Sequence, residues 1–172
     1  TPPGLLTAQG NGGGRAPKYA VYRKTAGGSW TLLTTSATGT SYVDKSVAAA
    51  TTYSYTVKAL VGGTWSGYDS KGVSATTAPI LKSAAASSGQ ITVQWNAVSG
   101  ASKYAVYRKT AGGSWTLLTA AVTSPSYTDK SSDLKAGTTY SYTVKALVSG
   151  SWSGYDASGV SATAAVSAGT PV

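Results

Sequence analysis

The sequence predicts an all-β chain of two tandem sandwiches, and three observations lead there. Within its 172 residues one unit occurs twice: Lys18 to Thr34 is identical to Lys103 to Thr119, and Thr51 to Val61 is identical to Thr138 to Val148. Apolar and polar residues alternate along the repeated segments, which is the period of half-buried strands. Turn formers recur every 8 to 12 residues or so, the spacing of short antiparallel strands, and no segment carries the 3.6-residue apolar period of a helix. The repeat places the boundary near residue 78, giving modules over 1–78 and 79–172, each able to bury one modest core.

The second copy is the more complete and sets the element order. Ile91, Val93 and Trp95 alternate with Thr92 and Gln94 in one strand, and after a turn at Val98-Ser99-Gly100-Ala101 a second carries Tyr104 and Val106 on one face. Ala111-Gly112-Gly113 supplies a turn tolerant of positive φ, and Trp115 and Leu117 begin a third strand. Ser126-Tyr127-Thr128 reads as a short fourth. Thr138 to Val148 is a long strand with Tyr140, Tyr142, Val144 and Ala146 inward and Ser141, Thr143 and Lys145 outward. Gly150 to Ser158 is rich in turn formers, and Gly159 to Ala164 closes the unit.

Leu134-Lys135-Ala136-Gly137-Thr138-Thr139-Tyr140 resembles the fibronectin type III pattern Leu-x-Pro-Gly-Thr-x-Tyr, with Ala136 in place of the family's Pro. Trp95 likewise matches that family's core tryptophan on strand B, and KYAVYRK resembles its strand C. In the first copy Val47 stands for the leucine and Tyr53 for the tyrosine. The resemblance implies two immunoglobulin-like sandwiches, with Tyr53 and Tyr140 as tyrosine corners and Leu134, Val47 and Trp95 in the core. More narrowly, YAVYRKTAGGSW, SYTDKS and WSGYD are similar to tandem fibronectin-like repeats of secreted and wall-attached proteins of Gram-positive bacteria. Related sandwiches decorate phage virions. These resemblances imply an extracellular, cell-surface or virion setting and a spacer, stalk or adhesion role.

Composition narrows the chemistry. The chain has no Cys, His, Met, Phe or Glu, so most side chains that perform acid–base, nucleophilic or metal chemistry near neutral pH are missing. We therefore expect no enzyme, no metal and no cofactor. The five carboxylates are Asp44, Asp69, Asp129, Asp133 and Asp156, spread over the ends of different strands, where turn capping explains them better than paired-carboxylate hydrolysis or a calcium site. Fourteen Lys and Arg against five Asp give a net charge of +9, which favours solubility or attraction to an anionic polymer. No element suited to reading a nucleic-acid groove is evident, nor any segment with the length or periodicity for membrane insertion. The opening residues show no signal-peptide pattern.

Two candidate sites stand out. One is the loop before the last strand, Trp65, Tyr68 and Asp69 with its copy Trp152, Tyr155 and Asp156, where aromatics and an acid suit a sugar ring, or else cover the sandwich edge. The other is the outward face of the second and fifth strands: Tyr107, Lys109 and Lys145, with Tyr22, Lys24 and Lys58 as its copy. That basic, aromatic face suits wall polymer or another polyanion, or else serves solubility.

The first copy differs at its start. Thr7 to Tyr19 aligns with Thr92 to Tyr104, with Gly10 where Trp95 stands and Ala8 where Val93 stands, and the counterpart of Ile80 to Ala85 falls before Thr1. We expect this sandwich to lack its first strand, to be the weaker, and to be completed by a strand from a neighbouring module or molecule. The function expected is a non-enzymatic structural or adhesion segment of a surface or secreted protein, with other modules of the chain, neighbouring subunits, cell-wall polymer or glycan as partners. The alternatives are a carbohydrate-binding module beside a secreted glycan-active enzyme and a virion or filament subunit. The short Ala78 to Ser88 connection leads to an expectation of limited hinge freedom.

Overall fold

The computed structural model describes the backbone of residues 6–9 and the whole of residues 18–166. Among these residues every regular element is a strand. The chain divides into two compact units, with the division along the sequence between Thr77 and Ala78.

In the second unit β8 (Leu81–Ser87), β9 (Gln90–Trp95) and β12 (Ser126–Asp129) form one antiparallel sheet in the order β12-β9-β8. The other sheet runs β11 (Thr116–Val122), β10 (Ala101–Thr110), β13 (Thr139–Val148), then β14 (Ser151–Trp152), with β15 (Val160–Thr163) also paired to β13. The inward residues of β9 meet those of β10 and β13: Ile91, Val93, Trp95, Val106, Tyr142, Val144 and Ala146 are all essentially inaccessible to solvent. Trp95 and Tyr104 meet edge to face with ring centroids 5.2 Å apart. Tyr140 closes the bottom of the sheet as a tyrosine corner: its hydroxyl accepts from Lys135 N at 3.0 Å and donates to Asp133 O at 3.1 Å. Leu134 is half-buried beside it.

A polar clasp runs through this core. Arg108 points inward from β10 and its guanidinium reaches Asp129 on β12 at 2.8 Å, so the ion pair ties one sheet to the other. The Tyr142 hydroxyl donates to the same carboxylate oxygen at 2.9 Å, while the other oxygen accepts from Ser131 N and its hydroxyl. Arg108 also pairs with Asp133. Asp129 thus caps a turn, as expected, and in addition is the buried half of an inter-sheet ion pair.

The first unit repeats the larger sheet as β3 (Thr31–Ala37), β2 (Lys18–Thr25), β5 (Thr52–Val61) and β6 (Thr64–Trp65), with β7 (Val73–Thr76) on β5. Its smaller sheet pairs β1 (Leu6–Gln9) with β4 (Ser41–Asp44), two strands among the described residues against three in the second unit. The β1–β4 register, Leu6 opposite Asp44 and Gln9 opposite Ser41, matches that of Ile91 opposite Asp129 and Gln94 opposite Ser126. Gly10, the position equivalent to Trp95, lies outside the described residues. Arg23, Asp44, Tyr55 and Ser46 form the equivalent clasp, with Arg23 to Asp44 at 2.7 Å. Tyr53 accepts from Ala48 N at 3.0 Å, and Val47 packs against Tyr53, Tyr55 and Val21.

Candidate binding cleft on the outer sheet face

Strand alternation sends Tyr107 and Lys109 of β10, and Thr143 and Lys145 of β13, to the side of the sheet away from the core. Tyr107 and Thr143 are direct cross-strand partners. The surface they form is covered in part by the segment between β14 and β15. Ser153 anchors that segment at one end, with its N donating to Ala146 O at 2.8 Å and its hydroxyl accepting from Ala146 N at 2.9 Å. Thr143 anchors the middle, donating to Asp156 O at 2.7 Å, and is 1% exposed beneath it.

Held in this way, the segment turns Tyr155 back over the sheet. Its ring centroid lies 5.2 Å from Lys145 Nζ, which also stands 5.8 Å from the Tyr107 ring. Trp115, just ahead of β11, supplies a further wall and carries Lys109 Nζ 4.5 Å above its ring. The result is a cleft of about 210 Å³ lined by Tyr107, Trp115, Thr143, Lys145 and Tyr155. The first unit has its counterpart, about 190 Å³, lined by Tyr22, Trp30, Lys58 and Tyr68. There Lys58 Nζ lies 5.7 Å from Tyr22 and 5.3 Å from Tyr68, Lys24 lies 4.5 Å over Trp30, and Trp30 meets Tyr68 edge to face.

The two candidate regions of the sequence thus converge into one site per unit, but not with all their residues. Trp65 and Trp152 lie apart from the clefts, on β6 and β14, paired with Leu60 and Leu147 and about two-fifths exposed. Asp69 and Asp156 face the turn instead of a ligand, each accepting at 2.9 Å from the backbone N two residues on, Lys71 and Ser158. Trp30 and Trp115 are the wall residues that sequence reading missed as site residues. In the repeat they look like the start of a strand, and only the fold shows them facing the tyrosine of a distant loop.

The electrostatics of the clefts are one-sided. All three ion pairs among the described residues use arginine, so Lys24, Lys58, Lys109 and Lys145 have aromatic faces and no carboxylate opposite them. No group of three metal-ligating side chains occurs among the described residues.

In the second unit five features define the framework that carries the cleft: a three-stranded sheet facing a larger one, the strand order within each, the core tryptophan, the inward arginine and the tyrosine corner; the first unit shares the larger sheet and the inward arginine. These sandwiches are of the fibronectin type III kind. A fibronectin-like protein from Clostridium thermocellum is similar at 31% identity over 55% of this chain and 96% of its own, with a TM-score of 0.43. A two-domain fibronectin type III segment of chicken tenascin is similar at 16% identity over 94% of this chain and 91% of its own, TM-score 0.41. A β-1,2-glucanase from Parabacteroides distasonis is similar at 16% identity over 96% of this chain and 28% of its own length, TM-score 0.44. The family model for the C-terminal domain of GH85 endohexosaminidases matches residues 75–151 of the fibronectin-like chain. No curated protein matches it.

Proposed function

We propose that this chain is a non-enzymatic structural and adhesive segment of a larger secreted or cell-surface protein. The observation that carries the reading is the employment of its acids. Asp44, Asp129 and Asp133 are bound in arginine ion pairs and Asp69 and Asp156 cap turns, so each of the five carboxylates of the sequence has a structural partner.

A second reading is favoured by a specific observation. The aromatic clefts, together with the match to a C-terminal domain of endohexosaminidases, support a carbohydrate-binding accessory role beside a glycan-active enzyme. The test pairs two measurements on the intact chain: retention on insoluble polysaccharides and release of reducing ends from them. Retention without new reducing ends is expected, and sustained release of reducing ends by the purified chain would overturn the non-enzymatic reading. Concentration-dependent assembly in sedimentation would instead favour a filament or virion subunit.

A further inference from the structure

We propose that each cleft binds one residue of an acidic saccharide, a pyranose ring that carries a carboxylate. The inference rests on the carbohydrate-accessory reading and names its ligand class.

Three features of the cleft narrow the ligand. The first is the walls. Tyr107, Trp115 and Tyr155 present ring surface around a space of about 210 Å³, and Tyr22, Trp30 and Tyr68 do so around about 190 Å³. Sites for drug-sized ligands run to roughly 300–1,000 Å³, so these clefts suit a single ring. The C–H faces of a pyranose can lie against aromatic walls, which offer large contact area at small entropic cost.

The second feature is the ammonium group. Lys145 Nζ lies 5.8 and 5.2 Å from two tyrosine rings and Lys58 Nζ 5.7 and 5.3 Å from their counterparts, each half-buried and without a carboxylate partner among the described residues. A ring face attracts a cation less strongly than a carboxylate does through a charge-assisted hydrogen bond in the same partly desolvated place. The site therefore gains most from an anion. An aromatic cage would otherwise suit a quaternary ammonium, but a lysine already placed among the rings repels one.

The third feature is ring orientation. Trp30 and Tyr68 meet at 79°, giving a corner and not a run of parallel platforms. Successive stacked bases need platforms in series along a groove, so the corner favours a single sugar ring over single-stranded nucleic acid. The loop residues that differ between copies, Gly62 against Ser149, Thr64 against Ser151, Ser70 against Ala157 and Lys71 against Ser158, all lie outside the two linings.

The experiment is calorimetric titration of the intact chain with a galacturonic acid trimer, alongside the neutral galactose trimer, a glycerol phosphate trimer and a thymidine trinucleotide. Saturable binding of the uronate at two sites per chain is expected, weakening as salt rises. The Lys58→Gln/Lys145→Gln double variant should lose at least tenfold in affinity while still unfolding in a cooperative melt only a few degrees lower, because both side chains sit on the outer face and not in the core. Absence of uronate binding up to about 10 mM, or equal affinity in the double variant, overturns the inference. Equal binding of the neutral trimer also overturns it and leaves the accessory reading standing, whereas tighter binding of glycerol phosphate or thymidine replaces the ligand class. If no saccharide of any kind is retained, the accessory reading falls with it.

Discussion

At Asp129 burial opposes ionisation, yet hydrogen bonds from Ser131, Arg108 and Tyr142 outweigh it and hold the carboxyl below the usual carboxylate range. Asp44 is lowered in the same way by Ser46, Arg23 and Tyr55. Their tyrosine partners shift the other way: burial, then the hydrogen bond to a carboxylate, pushes Tyr142 and Tyr55 well above the ordinary phenol. The signs give two limbs of stability against pH. A depressed carboxylate stabilises the fold above its unfolded pKa, about 3.9, and that contribution is lost as pH falls through the lower folded value. A raised tyrosine stabilises below its unfolded pKa, about 10, and that contribution is lost as pH rises through the higher folded value. With no His or Cys side chain in the chain, stability should stay nearly flat from about pH 5 to 9 and decline on both sides. Denaturant melts across that range check this, and a steep slope near neutrality would contradict it. In Asp129→Asn the second unit should lose its part of the acid limb: near neutral pH it should be destabilised by about 3–5 kcal/mol, because Arg108 keeps only its more exposed partner Asp133, and the difference from the parent should shrink as pH falls through the acid limb.

The element that shapes each cleft is the interrupted edge strand, β14 and β15 with the Ser153–Gly159 segment between them, and its return to the sheet depends on one glycine. Gly159 has φ +68°, and an added Cβ would lie 2.5 Å from Tyr142 O and 2.9 Å from Cη2 of Trp115. Gly72 is placed the same way against Tyr55 and Trp30. Gly112 also has positive φ but open space where a Cβ would go. Gly159→Ala should therefore cost more than Gly112→Ala by over about 1 kcal/mol, and only Gly159→Ala should shift the fluorescence of Trp115. Equal costs and unchanged emission would mean that Trp115 does not rest on this glycine. The same element marks where the sequence stops being legible. Period-two alternation placed Tyr140, Tyr142, Val144 and Ala146 on the core face because each strand meets the sheet by local rules. The Leu134 to Tyr140 motif likewise anticipated the tyrosine corner, a contact over five residues. Trp115 opposite Tyr155, and Arg108 opposite Asp129, join positions distant in sequence, and alternation says only which face a side chain leaves from. Burial of the outward Thr143 was unreadable for the same reason: it follows from a loop folding over the sheet.

Across the whole molecule, duplication provides an internal comparison of one sequence in two settings. The strand TYSYTVKALV occurs as β5 and as β13 with identical side chains, yet Val144 and Ala146 are fully buried where Val57 and Ala59 are only half-buried. Val148 is 8% exposed and Val61 is 61% exposed. Tyr104 is 4% exposed against Trp95, while its counterpart Tyr19 is half-buried. Burying a valine is worth about 1.5–3 kcal/mol, so β5 gains several kcal/mol less from the same residues than β13 does. Hydrogen exchange reads this difference cleanly. The two strands share their sequence, so interior amides have the same intrinsic chemistry and their ratio of rates reports the difference in opening free energy alone. Val57 should exchange at least about 30-fold faster than Val144, and Lys58 faster than Lys145 by a similar factor, since each 1.4 kcal/mol is tenfold. Equal protection in the two strands would show that the first unit recovers elsewhere the burial that β5 lacks, through a strand supplied by a neighbouring molecule if protection rises with protein concentration. Protection that stays unequal at every concentration makes the second unit the stable anchor and the first the one that yields under heat or load.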